Sequence, residues 1–259
     1  MKKIDLIVTI LLFILGALCY VFFEVLHLHI VDDPVANHLL DGTFSRAGLS
    51  LLFIWLIYLF GGKDYLLFNK SFGMMLLWSL PCFMVAFVNF PWNSAFGTHE
   101  FSITRTDLIG YYILYIIFIA ILEELIFRGI ILILLKDWFK RVKHAPIIVT
   151  AIGAGAFSLF HFTNLFIGAG IGDVLLQCAY TFLIGAMLTV TILKTKNILI
   201  CIVVHAIFDF GGLIQSEQIG SGQAWDLVFW ILTIVSGVLC AGHIIYSLFR
   251  MDKEYASRN

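Results

Sequence analysis

Charge is scarce in this sequence. Asp, Glu, Lys and Arg make up only 13% of its 259 residues, about half the roughly 25% of a soluble domain. A chain this poor in charge cannot coat a water-facing surface. With 61% hydrophobic residues and a mean hydropathy of +1.00 it reads as a membrane protein. An excess of basic charge is missing too: 16 Lys and Arg stand against 17 Asp and Glu, which excludes nucleic acid as a partner. The 25 Phe then belong to lipid-facing and helix-packing surfaces, not to a base-stacking platform. Cysteine pairing is also absent. Cys19, Cys82, Cys178, Cys201 and Cys240 all sit in apolar runs without C-x-x-C spacing, so they read as small buried hydrophobes. Polar stretches long enough for a soluble domain are missing, as is any internal repeat, and residues 1–259 read as a single integral membrane domain.

What is present is a series of apolar runs long enough to cross about 30 Å of hydrocarbon. They fall at 5–27, 46–61, 72–92, 107–135, 146–163, 173–193, 197–214 and 227–249. The expected fold is therefore all-α, a polytopic integral membrane protein of about eight transmembrane helices, with Pro81 bending the third. Lysine and arginine occupy alternate connections: Lys2 and Lys3, Lys63 and Lys70, Lys136 to Lys143, Lys194 and Lys196, then Arg250, Lys253 and Arg258. By the positive-inside rule the N- and C-termini are both cytoplasmic. The polar loops 31–45 and 93–106 then face outward and are expected to be mobile.

One stretch breaks the apolar pattern. Residues 121–129 read I-L-E-E-L-I-F-R-G and set Glu123, Glu124 and Arg128 inside the long run 108–135. Each such residue near a helix centre costs about 2.5–3.5 kcal/mol on insertion scales, so three together point to a site or to a buried ion pair that locks helices. Two further spans carry F-S-L-F-H at 157–161 and H-A-I-F-D at 205–209. The four-residue step puts His205 and Asp209 on one helix face, and likewise Glu124 and Arg128, with Glu123 turned about 100° away. Three helices can thereby converge on one cavity.

The residue types suit hydrolysis. Hydrocarbon disfavours a charged carboxylate, which makes a membrane glutamate a competent general base near neutral pH. Arg128 holds Glu124 ionised, leaving Glu123 as the proton acceptor. His161 and His205 suit proton transfer, oxyanion stabilisation or metal ligation. Two histidines and a glutamate would also serve a divalent metal such as zinc, although the usual H-E-x-x-H segment is absent. At 1.5 Å per residue Glu123 and His205 lie about 14–20 Å from the lysine-rich face, in a cavity expected to open toward the cytoplasm or sideways to lipid. Phe127, Phe157, Phe160, Phe162 and Phe208 are available to line it.

E-E-L-I-F-R, F-S-L-F-H and H-A-I-F-D, in this order, resemble the CPBP family of intramembrane proteases, also called Abi. It groups type II CAAX prenyl endopeptidases with bacteriocin-processing and immunity proteins. The resemblance covers about 107–214, the motif-bearing core. It implies that Glu123 and His161 activate the attacking water, that His205 and the residue four later stabilise the oxyanion, and that Glu124 and Arg128 shape the site. That later residue is Asp209 here, where prenyl endopeptidases have Asn. An ionised Asp repels an oxyanion, so Asp209 must be protonated, orient His205 or join it at a metal.

The expected activity is thus that of an intramembrane glutamate-dependent endopeptidase acting on a membrane-associated or lipid-modified peptide. The rival within the family is a non-proteolytic role in bacteriocin immunity or membrane scaffolding, and outside it a transporter or proton relay. The partners expected are the lipid bilayer, a membrane-associated peptide or protein substrate and, on the scaffolding reading, a membrane protein partner.

Overall fold

A computed structural model describes residues 29–66, 72–97, 100–214, 217–221 and 226–257. The expected first span 5–27, with Cys19, Lys2 and Lys3, lies outside the described residues, as do Lys70 and Arg258.

Helix α1 (Pro34–Leu59) starts far earlier than the hydropathy placed it. Asp33 accepts the Ala36 amide at 2.8 Å, and Pro34 takes the first helical position, where its missing N–H costs nothing. Most of the expected loop 31–45 is therefore helix. Its polar residues Asp41, Thr43 and Arg46 are buried against the rest of the bundle. Thr43 donates to the Leu39 carbonyl and Arg46 to that of Gly42, so hydropathy read an inward polar stripe as a loop.

Helix α2 (Phe72–Val88) runs on through Pro81. Next come α3 (Ile109–Glu124), a π-helical segment (Leu125–Ile131) and α4 (Leu132–Phe139), which together form one continuous rod. Helix α5 (Ala145–Phe160) passes into a 3-10 turn (His161–Ile167), followed by α6 (Ile171–Thr195), α7 (Ile198–Leu213) and α8 (Leu227–Ala256). The α6–α7 turn is tight: Lys196 sits in the left-handed region at φ 57°, and Asn197 caps α7 by accepting the Leu199 amide at 2.9 Å.

Among the described residues, four helices are long and apolar enough to cross a membrane: Pro34–Leu59, Ala145–Phe166, Ile171–Thr195 and Leu227–Ala256. The contacts fix their directions. Ser158 bonds Cys178 while Gly153 approaches Thr189, so α5 and α6 are antiparallel. Met187 touches Cys240 and Lys194 bonds Ser247, so α6 and α8 are parallel. Lys136, Lys194, Lys196 and Arg250 thus gather at one end of the bundle, and the start of α3, the 3-10 turn after α5, the end of α7 and the start of α8 gather at the other.

That second end carries regular structure and side-chain bonds between its connections. Ser102–Ile103 pairs antiparallel with Gly220–Ser221. Arg105 donates to Asp33 and Asp107, each at 2.9 Å. The Ala36 amide and then Arg105 hold the Asp33 carboxyl below its ordinary range, and Arg105 does the same to Asp107.

Candidate active site

The π-helical segment begins directly after Glu123 and Glu124. Such segments interrupt α-helices mostly at functional positions, because the wider turn re-aims the side chains around it. Glu124 and Arg128 are almost completely buried, at 0% and 1% side-chain exposure. The Glu124 Oε1 atom accepts from Arg128 Nη1 at 2.7 Å and from His205 Nδ1 at 2.8 Å. Arg128 also donates to the Gly185 carbonyl at 3.2 Å and lies 4.3 Å above the Phe157 ring. A single carboxylate therefore ties α3, the π segment and α7 together, with α5 and α6 joined through Arg128.

His205 is oriented by this arrangement. Its Nδ1 meets a carboxylate, which can only accept, so Nδ1 carries a proton and Nε2 turns toward the acidic groups beyond it. Asp209 Oδ2 lies 3.3 Å from Nε2 and Glu123 Oε2 lies 3.7 Å away. Three carboxylates here face one guanidinium and one imidazole. Even a doubly protonated ring leaves one negative charge unmatched. Glu123 has the longest contact and, at 18%, the greatest exposure of the three.

His161 ends α5 and starts the 3-10 turn. Its Nδ1 donates to the Phe157 carbonyl at 2.9 Å, so in the neutral ring Nε2 keeps its lone pair. Phe157 stands edge-on to both histidines, with ring centroids 5.0 Å from His161 and 5.7 Å from His205. This one buried aromatic ring spaces the two imidazoles.

Glu123, His161, His205 and Asp209 all line one cavity of about 610 Å³. Glu124 and Arg128 stand behind its wall. Phe157, Phe160 and Phe208 line it as expected; Phe127 packs behind Phe157 and Phe160 instead, and Phe162 is not among the lining residues. Sequence reasoning missed Asn89, Arg46, Gln177 and Tyr180, which also line it. Gln177 and Arg46, polar residues beside apolar runs, carried a usable signal; Tyr180 carried none.

The cavity is displaced away from the lysine-rich end, so of the two expected openings, toward the cytoplasm or sideways to lipid, its walls do not favour the lysine-rich face. Its walls extend to His38, Ala169, Glu217 and Phe229, all close to helix ends opposite the lysines. His38 and Glu217 pair there at 3.2 Å. The physical reason is packing: toward the lysine end the π segment is plugged by Ile57, Ile130 and Ile198, all 0–1% exposed.

A zinc ion needs its donors at about 2.0–2.2 Å from a shared centre. Among the described residues no group of three His, Cys, Asp or Glu side chains is placed to hold one. His205 gives Nδ1 to Glu124, and its Nε2 faces Asp209. In this arrangement the donor set does not fit a divalent metal.

Residues 105–211 match the family described as Type II CAAX prenyl endopeptidase Rce1-like, a stretch that contains all three motifs. No curated protein matches the chain, nor does any solved structure.

Proposed function

We propose that this chain, which belongs through residues 105–211 to the CPBP/CAAX protease family, is a multi-pass cell-membrane endopeptidase that hydrolyses a peptide bond by glutamate-activated water. The observation that carries this reading is the convergence of Glu123, His161, His205 and Asp209 on a single cavity inside the bundle.

In the proposed reaction Glu123 takes a proton from a water molecule in the cavity, and the oxygen of that water bonds to the substrate carbonyl carbon. The carbonyl electron pair moves onto its oxygen. Collapse of this intermediate breaks the C–N bond, and the proton passes to the leaving nitrogen. His161 Nε2 shares the water, while His205, fixed by Glu124, presents Nε2 to the reacting centre. Arg128 neutralises Glu124, and that pair keeps the ring from rotating.

The lysine-rich end is cytoplasmic on this reading, and with the span at 5–27 both termini are cytoplasmic and the spans number eight. The cavity then opens toward the opposite, extracytoplasmic half of the membrane, and a membrane-associated or lipid-modified peptide enters from that side.

The test compares the peptides released from membranes holding wild-type protein with those holding Glu123→Gln at equal levels. Shortened peptides present only with wild type are the expected result. Identical peptide profiles from the two would sink the proposal and favour the non-proteolytic scaffolding role.

A further inference from the structure

Two consecutive glycines, Gly211 and Gly212, stand near the end of α7. Asn89, the residue that follows α2, fills the space both of them leave. A Cβ on Gly211 would come within 2.8 Å of the Asn89 carbonyl oxygen, and one on Gly212 would collide with the side-chain Nδ2. Glycine weakens a helix interior. Here the pair admits a carboxamide to a position that a side chain of α7 would otherwise occupy.

That position belongs to the cavity. His205, Phe208, Asp209 and Gly212 recur at steps of three and four residues and so share one face of α7, and all four line the cavity together with Asn89. The carboxamide therefore rests on the stripe that carries His205 and Asp209, about one turn further from the lysine-rich end than Asp209. Its orientation is fixed as well. Nδ2 donates to the Phe208 carbonyl at 2.8 Å; a carbonyl only accepts, so Oδ1 is the opposite end of the group. Among the described residues nothing donates to Oδ1.

We propose that Asn89 is a substrate-binding residue of this site, its Oδ1 accepting a backbone N–H of the peptide. A peptide entering an apolar cavity gives up the water around its backbone, and each N–H left without an acceptor weakens binding. An amide oxygen held in place by the Phe208 carbonyl offers that acceptor without adding charge beside the carboxylates. Gly212 lies two turns beyond His205, about 10 Å along the axis, which an extended chain covers in about three residues. The N–H held by Asn89 is thus about three residues from the bond that is cut.

The role rests on the proteolytic reading, and the experiment separates the two. From a cleavage site found in the peptide comparison above, a fluorogenic peptide is made, with analogues in which an ester oxygen replaces one backbone N–H at a time around the scissile bond. kcat and KM are measured for purified wild type, Asn89→Leu and Gly212→Ala, with Glu123→Gln as reference. Asn89→Leu removes the acceptor. Gly212→Ala keeps Asn89 and displaces only its carboxamide, the end of a flexible side chain. Each should raise KM about tenfold with kcat within about threefold, because a contact this far from the reacting atoms is made alike before and in the transition state. One ester analogue should show the same rise with wild type and no further rise with either variant, since the two changes remove the same bond. Wild-type KM in both variants, a loss confined to kcat, or ester effects that add to those of the variants overturns the assignment of Asn89 while leaving Glu123 in place. Wild-type protein that releases no peptide beyond Glu123→Gln overturns the proteolytic reading, and this role with it.

Discussion

Replacing Glu124 tests the buried network most directly. Glu124→Leu would strand the Arg128 guanidinium at 1% exposure, keeping only the Gly185 carbonyl at 3.2 Å and the face of Phe157. Breaking a buried pair by removing one partner costs about 3–5 kcal/mol, most of it the penalty of the uncompensated charge. His205 Nδ1 loses its acceptor in the same variant. Glu124→Gln should be milder, because all of Glu124's hydrogen bonds run through Oε1 and the amide oxygen can take its place. The guanidinium still loses its countercharge and the NH₂ group takes the position of Oε2, which has no partner, so the cost is about 2–3 kcal/mol. Arg128→Met combined with Glu124→Leu removes both charges, and the double variant should be more stable than the sum of the single losses by about 2 kcal/mol or more. Equilibrium unfolding in detergent micelles by a graded denaturant reads these differences. Single losses that add within about 0.5 kcal/mol, or a Gln variant as damaged as the Leu variant, would refute the reasoning.

The remaining predictions are more local. Asp209→Asn keeps a polar group opposite His205 Nε2 and removes a negative charge from beside the proposed oxyanion, so turnover should rise about threefold to tenfold, or about 0.7–1.4 kcal/mol; a tenfold loss would show that the charge is required. Gly211→Ala would set a methyl group 2.8 Å from the Asn89 carbonyl oxygen and 2.9 Å from the Phe90 ring, which forces α7 off its neighbour at a cost of about 1–3 kcal/mol and moves His205 and Asp209 with it. Gly242→Ala, where nothing lies within 4 Å, should leave stability and turnover unchanged, and equal effects at both glycines would count against the packing argument. For Asp33 the sign follows from a folded carboxyl held below its ordinary value of 3.8: its contribution is present above that value and lost as pH falls through the lower folded one. Asp33→Asn should therefore be less stable than wild type at pH 6 and converge with it as the pH falls through the lowered folded value, and a gap that stays constant across an acid titration would contradict the assignment.

Hydropathy located most of α2, α3, α5, α6, α7 and α8 because each is apolar along nearly its whole length. It failed at α1, whose Asp41, Thr43 and Arg46 are polar yet face the bundle and bond back to their own helix. Linear hydropathy cannot distinguish a polar residue turned inward from one in a loop. Spacing along the helices brought Glu123, Glu124, Arg128, His161, His205 and Asp209 into consideration, since each is anomalous in an apolar run. Their division of labour was only partly legible. That Glu124 bonds His205 as well as Arg128 depends on the crossing of α3 and α7, with the partners 81 positions apart in the sequence. The π segment left no mark in L-I-F-R-G-I-I, and Tyr180 joins the cavity wall only through its packing on Phe208 of α7.

The direction in which the cavity lies constrains what can enter it. Tyr115 lies beneath Arg46, whose guanidinium is 5.1 Å from its ring, and both border the cavity. Glu123 is eight residues further along the same helix, about 12 Å deeper at 1.5 Å per residue. An extended chain covers that span with about four residues at 3.3 Å or so each, whereas a helix would need eight. Ile119 lies between the two levels on the same helix, and the lining mixes apolar residues such as Ile119 and Phe208 with a limited set of polar ones. On the proposed reading a substrate must therefore reach Glu123 as a short extended segment, with its backbone bonds met by a small number of polar residues such as Asn89 and Gln177. A substrate whose cleavage site is a stable transmembrane helix would have to unwind at least one full turn before its carbonyl could meet the water held by Glu123.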